Sequence, residues 1–153
     1  MITLTPAPFD PAETLSAFTA RAEGAGAIVS FTGLVRPESK SGRVSNLHLQ
    51  AYSPMTETGI QTAHDRAMGR WSLTSAEIVH RIGDMVPRDP IVFVATAADH
   101  RRAAFEAADF LMDYLKTEAV FWKKETRASG ETVWIEARKE DYTDSARWAE
   151  TKG

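Results

Sequence analysis

The chain of 153 residues contains no cysteine. That excludes disulfide staples, thiolate metal sites and a cysteine nucleophile. No apolar run comes near the roughly 20 residues that a bilayer span needs. The opening residues Met1-Ile2-Thr3-Leu4-Thr5-Pro6 show no basic stretch followed by a long apolar one, so no signal peptide is read there. Positive charge is not in excess: 18 Lys and Arg stand against 21 Asp and Glu, for a net charge of −3. A general nucleic-acid binder needs a basic footprint, so nucleic acid is not an expected partner. Glycine-rich phosphate loops and a nucleophile elbow are also missing. His48, His64, His80 and His100 fall in four different predicted elements, so no metal site is expected. His80 reads as a structural strand histidine. No cofactor, repeat or low-complexity segment is read. These absences leave a cytoplasmic protein, with residues 1–153 expected to form one domain and about 141–153 a frayed polar tail.

What is present is ordinary globular material, 43% hydrophobic and 25% charged. Residues 2–6 alternate as a short strand. Asp10-Pro11 places a capping carboxylate and a proline at the start of a helix reaching about Ala22. Residues 27–36 read as a central strand, in which Gly33 predicts a bulge or a close backbone approach. Residues 37–43 read as a mobile polar loop, and 44–52 as a half-buried strand paired antiparallel with 27–36. Ser53 is the expected cap of a helix reaching Trp71. Residues 73–82 form a strand, 83–90 a loop, and 91–97 the most apolar β-rich run, hence a buried strand. Residues 121–126 and 131–138 pair across Ala128-Ser129-Gly130. Several strand pairs joined by short turns predict an α+β fold, with helices packed on a mainly antiparallel sheet.

The chemistry concentrates between Ala98 and Glu125. Asp99 is the expected N-cap of a helix through Lys116, yet His100, Arg101 and Arg102 follow it directly. Three basic groups have the wrong sign for a helix start, which makes this a candidate anion site. Ala104, Ala108, Leu111 and Leu115 form the apolar face, widened by Phe105 and Met112. Lys116 shares a stripe with Met112. On the next strand Phe121, Lys123 and Glu125 share one face, and Trp122, Lys124 and Thr126 the other. Such a strand is either a lysine-protected edge or the wall of a cleft with an aromatic floor and an ammonium. Arg36, His100, Arg101, Lys116, Lys123 and Arg138 together fit an anionic, ring-bearing small molecule with a lysine near the reacting centre.

Several motifs are familiar as a set. Phe31-Thr32-Gly33-Leu34-Val35-Arg36, Val79-His80-Arg81-Ile82-Gly83, Asp99-His100-Arg101, Met112-Asp113-Tyr114-Leu115-Lys116-Thr117, Phe121-Trp122-Lys123-Lys124-Glu125 and Trp134-Ile135-Glu136-Ala137-Arg138 occur in order between about Gly26 and Trp148. They resemble the large, catalytic subunit of molybdopterin synthase. Two departures show: Leu34 stands where a lysine is common, and Val120 where a proline often precedes the aromatic-Trp-Lys run. The resemblance implies an α/β hammerhead-type fold and a homodimer within a heterotetramer. It implies a small ubiquitin-like sulfur-carrier subunit, whose Gly-Gly end bears a thiocarboxylate. It implies transfer of two sulfurs to cyclic pyranopterin monophosphate, forming the dithiolene of molybdopterin. By motif, Lys116 would lie at the carrier's terminal glycine and Lys123 would act as acid/base or hold charge at the pterin carbons. Arg36, His100, Arg101 and Arg138 would bind phosphate and pterin, some across the dimer, while Phe31 and Met112 line the pocket. Glu125 would orient Lys123, or form a surface ion pair with it. From the residues alone, a non-catalytic anion-binding module and a scaffold docking a ubiquitin-like partner stay open.

Overall fold

The computed structural model describes residues 1–39, 42–135 and 139–149, with Lys139 by its backbone alone. Among these residues the order is β1 (Ile2–Thr5), α1 (Pro11–Arg21), β2 (Ala27–Leu34), β3 (Glu38–Ser39), β4 (Gly42–Ala51), α2 (Met55–Arg70), β5 (Ser75–Arg81), β6 (Gly83–Met85), β7 (Pro90–Ala98), α3 (Arg101–Thr117), β8 (Phe121–Arg127), β9 (Thr132–Ile135) and α4 (Lys139–Ala146). The fold is α+β, as the pattern predicts.

One sheet runs β1-β5-β7-β2. Only its β1–β5 pair is parallel. The apolar run in β7 is buried on both faces, which is why it shows no alternation. Phe93, Ala95 and Ala97 meet Phe18 of α1 on one face. Val92, Val94 and Ala98 meet Ile60 of α2 and Leu111 of α3 on the other. A second sheet runs β3-β4-β8-β9, with β6 also paired to β4. Its inner face buries Leu47, Leu49 and Met85 beside Val35, and its outer face leaves Trp122 and Trp134 exposed.

Asp10 caps α1 as expected, accepting from the N–H groups of Ala12 and Glu13. Two other helix starts differ from expectation. His100, not Asp99, is the N-cap of α3, with extended backbone and no side-chain cap bond. Pro54, not Ser53, occupies the N-cap of α2. Ser53 Oγ instead donates to Glu57 Oε1 at 2.8 Å.

The expected pairing of 27–36 with 44–52 does not form. β2 pairs β7 and β4 pairs β8, so the segment between β2 and β4 carries the chain from one sheet to the other. Sequence neighbours separate because both faces of β7 need cover, while β4 can leave one face in water. The loops read at 37–43 and 83–90 contain β3 and β6, both docked on β4. Phe105 is 60% exposed, and Ala107 and Phe110 are buried in its place on α3.

Residues 139–149 are not a frayed tail. Arg147 donates to Asp109 at 2.6 Å and Asp113 at 3.0 Å, and Trp148 Nε1 donates to Asp113 at 2.6 Å. The Trp148 ring packs edge-on against Trp71 and Phe110. Polar composition hid this segment because Arg147 and Trp148, just past α4, pair with α3 carboxylates rather than with water. No helix of the described residues is long and apolar enough to cross a membrane.

Two glycines hold close approaches. The β2–β7 register shifts at Gly33/Leu34, and a Cβ on Gly33 would lie 2.8 Å from Val92 Cγ1. A Cβ on Gly26 would run into the Asp99 carbonyl, next to the start of α3. Gly26→Ala should therefore cost about 2 kcal/mol or more of stability, since backbone must move to make room. Urea denaturation measures it, and an unchanged midpoint would show that this corner is loose.

Candidate functional site

A cavity of about 590 Å³ opens between the two sheets and the end of α3. Each wall comes from a local rule. On β8 the alternation turns Phe121, Lys123 and Glu125 inward, while Trp122 stays 52% exposed. The strand lies between β4 and β9, so the edge-strand alternative fails. The last turn of α3 contributes Met112, Leu115 and Lys116. Three residues, Glu118 to Val120, return the chain from α3 to β8. Thr56 Oγ1 donates to the Val120 carbonyl at 2.6 Å, so the turn is tied down with valine in that position. Phe31 and Leu34 of β2 and Arg36 beyond it form the opposite side.

Three cations, Arg36, Lys116 and Lys123, and three carboxylates, Glu38, Glu125 and Asp141, line this space. Burial first, and then the charge of Lys116, pull the Lys123 ammonium down to about 8; Glu125 and Asp141 oppose, and Arg36 adds to the fall. His80 is buried and stacks on Phe121, with ring centroids 4.3 Å apart. Its Nδ1 lies 2.9 Å from the Arg81 carbonyl, so Nδ1 carries the proton and donates. Burial pushes its pKa down to about 4, the Arg81 carbonyl opposes, and Lys116 and Lys123 push the same way as burial. Glu125 is only 7% exposed.

The His80 shift has a consequence for stability. Its folded value of about 4 lies below the ordinary 6.5, so between these values the unfolded chain binds a proton that the folded one refuses. Stability from this group is complete above about pH 6.5 and is lost as pH falls toward 4. His80→Phe should flatten that acid limb. Melting temperatures of both proteins at pH 7 and pH 5 measure it, and equal falls would place the sensitivity elsewhere.

Of the residues singled out in the sequence, Phe31, Arg36, Met112, Lys116, Lys123 and Glu125 line one cavity. His100 and Arg101 do not. They begin α3 and Lys116 ends it, which separates them by about 24 Å of helix axis. Arg138 lies outside the described residues. Three titratable lining residues, Glu38, His80 and Asp141, escaped the sequence reading, and Glu38 was read as part of a mobile loop. His80 was assigned to structure, although its place at the end of a buried strand run pointed inward. Asp141 was assigned to a tail, and α4 brings it to the cavity.

Two sheets and a helix end close on two lysines, an arginine, three carboxylates and aromatic rings, with a lysine of lowered pKa among them. The family model described as MoaE protein matches residues 4–118, and the chain belongs to this family. It is 48% identical over 148 residues to the molybdopterin synthase catalytic subunit of Caulobacter vibrioides, covering 97% of each chain. Among solved structures it resembles the molybdopterin biosynthesis MoaE protein of Burkholderia ambifaria, with a TM-score of 0.82, 40% identity and 99% of both chains covered. It shares the fold of a chain from the complex of subunits 1 and 2 of molybdopterin-converting factor from Helicobacter pylori. There the TM-score is 0.76 at 20% identity, over 90% of this chain and 91% of that one. The family read from the motifs is the family found.

Proposed function

We propose that this chain is the catalytic subunit of a molybdopterin synthase. It passes sulfur from the C-terminal thiocarboxylate of a small ubiquitin-like carrier subunit to cyclic pyranopterin monophosphate, as part of molybdenum cofactor biosynthesis. The observation that carries the reading is the shared cavity wall of Lys116 and Lys123, delivered by α3 and β8. A lysine with a pKa of about 8 holds both protonation states near neutrality and can give or take a proton.

In this reading the thiocarboxylate sulfur bonds to a pterin side-chain carbon as a carbon–oxygen bond of that carbon breaks, one such oxygen leaving as water and the other staying with the phosphate as its ring opens. The carrier's acyl carbon–sulfur bond then breaks as water adds to the acyl carbon, and the carrier leaves as a carboxylate. Two such transfers build the dithiolene. Lys116 holds the carrier's terminal glycine and stabilises the acyl oxygen, and Lys123 serves the pterin carbons. Arg36 binds anionic substrate at the mouth, and Phe31 and Met112 shape the walls. The chain needs no thiol of its own, since sulfur arrives on the partner. His100, Arg101 and Arg138 complete the anion site. Because His100 and Arg101 lie so far along α3 from Lys116, a second copy of the chain supplies them. The assembly is then a homodimer with one carrier per protomer, a heterotetramer. A cytoplasmic location belongs to the same reading, which rests on the relatives' place in cofactor biosynthesis.

The test is a carrier lacking its two terminal glycines. Titration calorimetry should show weakened but persistent docking, because a flat carrier surface still meets the rim, while turnover is lost. Unchanged turnover with the truncated carrier would exclude this mechanism.

A further inference from the structure

The sulfur-transfer step leaves one nucleophilic group of the cavity unused. His80 follows Ile78 on the face of β5 that packs under α2 and α3, where Ile78 is core. Two residues on, near the end of the strand, the same face opens on the cavity, and His80 lines it. Two contacts fix the ring. It stacks on Phe121, with centroids 4.3 Å and planes 25° apart, and its Nδ1–H donates to the Arg81 carbonyl at 2.9 Å. That tautomer leaves a lone pair on Nε2, and Nε2 has no hydrogen-bond partner among the described residues. Packing alone does not call for such a group, since a phenylalanine would stack as well without burying an unpaired nitrogen. Among charged groups Lys116 acts on the ring most strongly and Lys123 next. His80 therefore sits beside the lysine that holds the carrier's acyl end in the proposed function.

We propose that His80 Nε2 is the general base for the water that frees the carrier. The assignment deepens the proposed function and rests on it. Once the carrier's sulfur has bonded to the pterin side chain, carrier and pterin are joined through a thioester. Nε2 takes a proton from a water as the water oxygen bonds to the acyl carbon, and Lys116 holds the oxyanion that forms. The carbon–sulfur bond then breaks, with its electron pair going to sulfur. The proton on Nε2 passes to that sulfur, and the new carboxyl group loses its own proton to solvent. Loading the cavity strengthens this base. Anionic substrate beside Lys116 and Lys123 offsets their repulsion of an imidazolium, which raises the group from about 4 toward its ordinary 6.5.

The test is a single turnover of the protein with thiocarboxylated carrier and cyclic pyranopterin monophosphate, quenched at intervals, with the carrier weighed by mass spectrometry. Three forms are distinguished: thiocarboxylate, pterin-bound thioester and free carboxylate. Native protein should pass to carboxylate with little thioester. In His80→Gln, thiocarboxylate should disappear at a near-native rate while carboxylate appears about a hundredfold more slowly, as loss of a general base allows, so the thioester accumulates. His80→Ala should do the same, and added imidazole should restore release. If thiocarboxylate loss and carboxylate release slow together and no thioester accumulates, His80 is structural and the proposal is overturned. Breakdown of the thioester by native protein should also be slower in heavy water, and an equal rate overturns the proposal even if no variant folds. Native protein that never consumes thiocarboxylate in the presence of the pterin would instead bring down the proposed function, and this assignment with it.

Discussion

Lys123→Ala is expected to lower sulfur transfer by about a thousandfold or more, because it removes the group placed against developing charge. The fold should not suffer. The folded pKa of about 8 lies below the ordinary 10.5, so the fold already disfavours the charged form of this lysine. For the same reason the native protein should gain stability as pH rises from about 8 toward 10.5, and Lys123→Ala should lack that rise. Lys116→Ala also loses most turnover, by a separable route. The Lys116 charge is the main lowering influence on Lys123 after burial, so its removal should move the inflection of the native pH–rate profile upward from about 8. Steady-state turnover across pH 6 to 10 measures both effects. Near-native turnover in Lys123→Ala and in Lys116→Ala would remove the two lysines from the chemistry.

The second large effect is complementation. His100→Ala/Arg101→Ala should be inactive by itself, as should Lys123→Ala, since each spoils every composite site. When the two are mixed and subunits exchange, each mixed dimer carries one site with all its native groups. Random exchange should therefore restore about a quarter of native activity. His100 and Arg101 make α3 start with the wrong charge, so their loss should leave melting temperature equal or slightly higher. No recovery in dimers shown to be mixed would contradict a site shared between protomers.

The parts of this molecule that were legible in the sequence are those set by short-range rules. The Asp10-Pro11 start, the β7 run, the β8–β9 hairpin and the division of β8 into two faces follow from capping, apolar runs and period-two alternation, though not which face of β8 turns inward. What failed depended on distant partners. β2 leaves β4 for β7, although β4 is the next long strand in the chain. α4 looked like solvated tail because Asp109 and Asp113, which pair with Arg147, lie over thirty residues earlier. Arg36, Lys116 and Lys123 were found by their cationic character beside aromatic neighbours, and Phe31, Met112 and Glu125 by the resemblance of their motifs. His80 was missed because a neutral, buried imidazole looks the same in sequence whether it faces core or cavity. His100 and Arg101 were picked out by the same electrostatic logic, but α3 carries them away from the cavity.

The most direct measurement is reconstitution. The purified chain is incubated with thiocarboxylated carrier and cyclic pyranopterin monophosphate, and the product is examined for two newly bound sulfurs. The expected result is a dithiolene product that forms with native protein, is lost with Lys123→Ala, and consumes two carriers per pterin. Docking of carrier and pterin with no sulfur reaching the pterin would contradict a catalytic role and leave only a binding module.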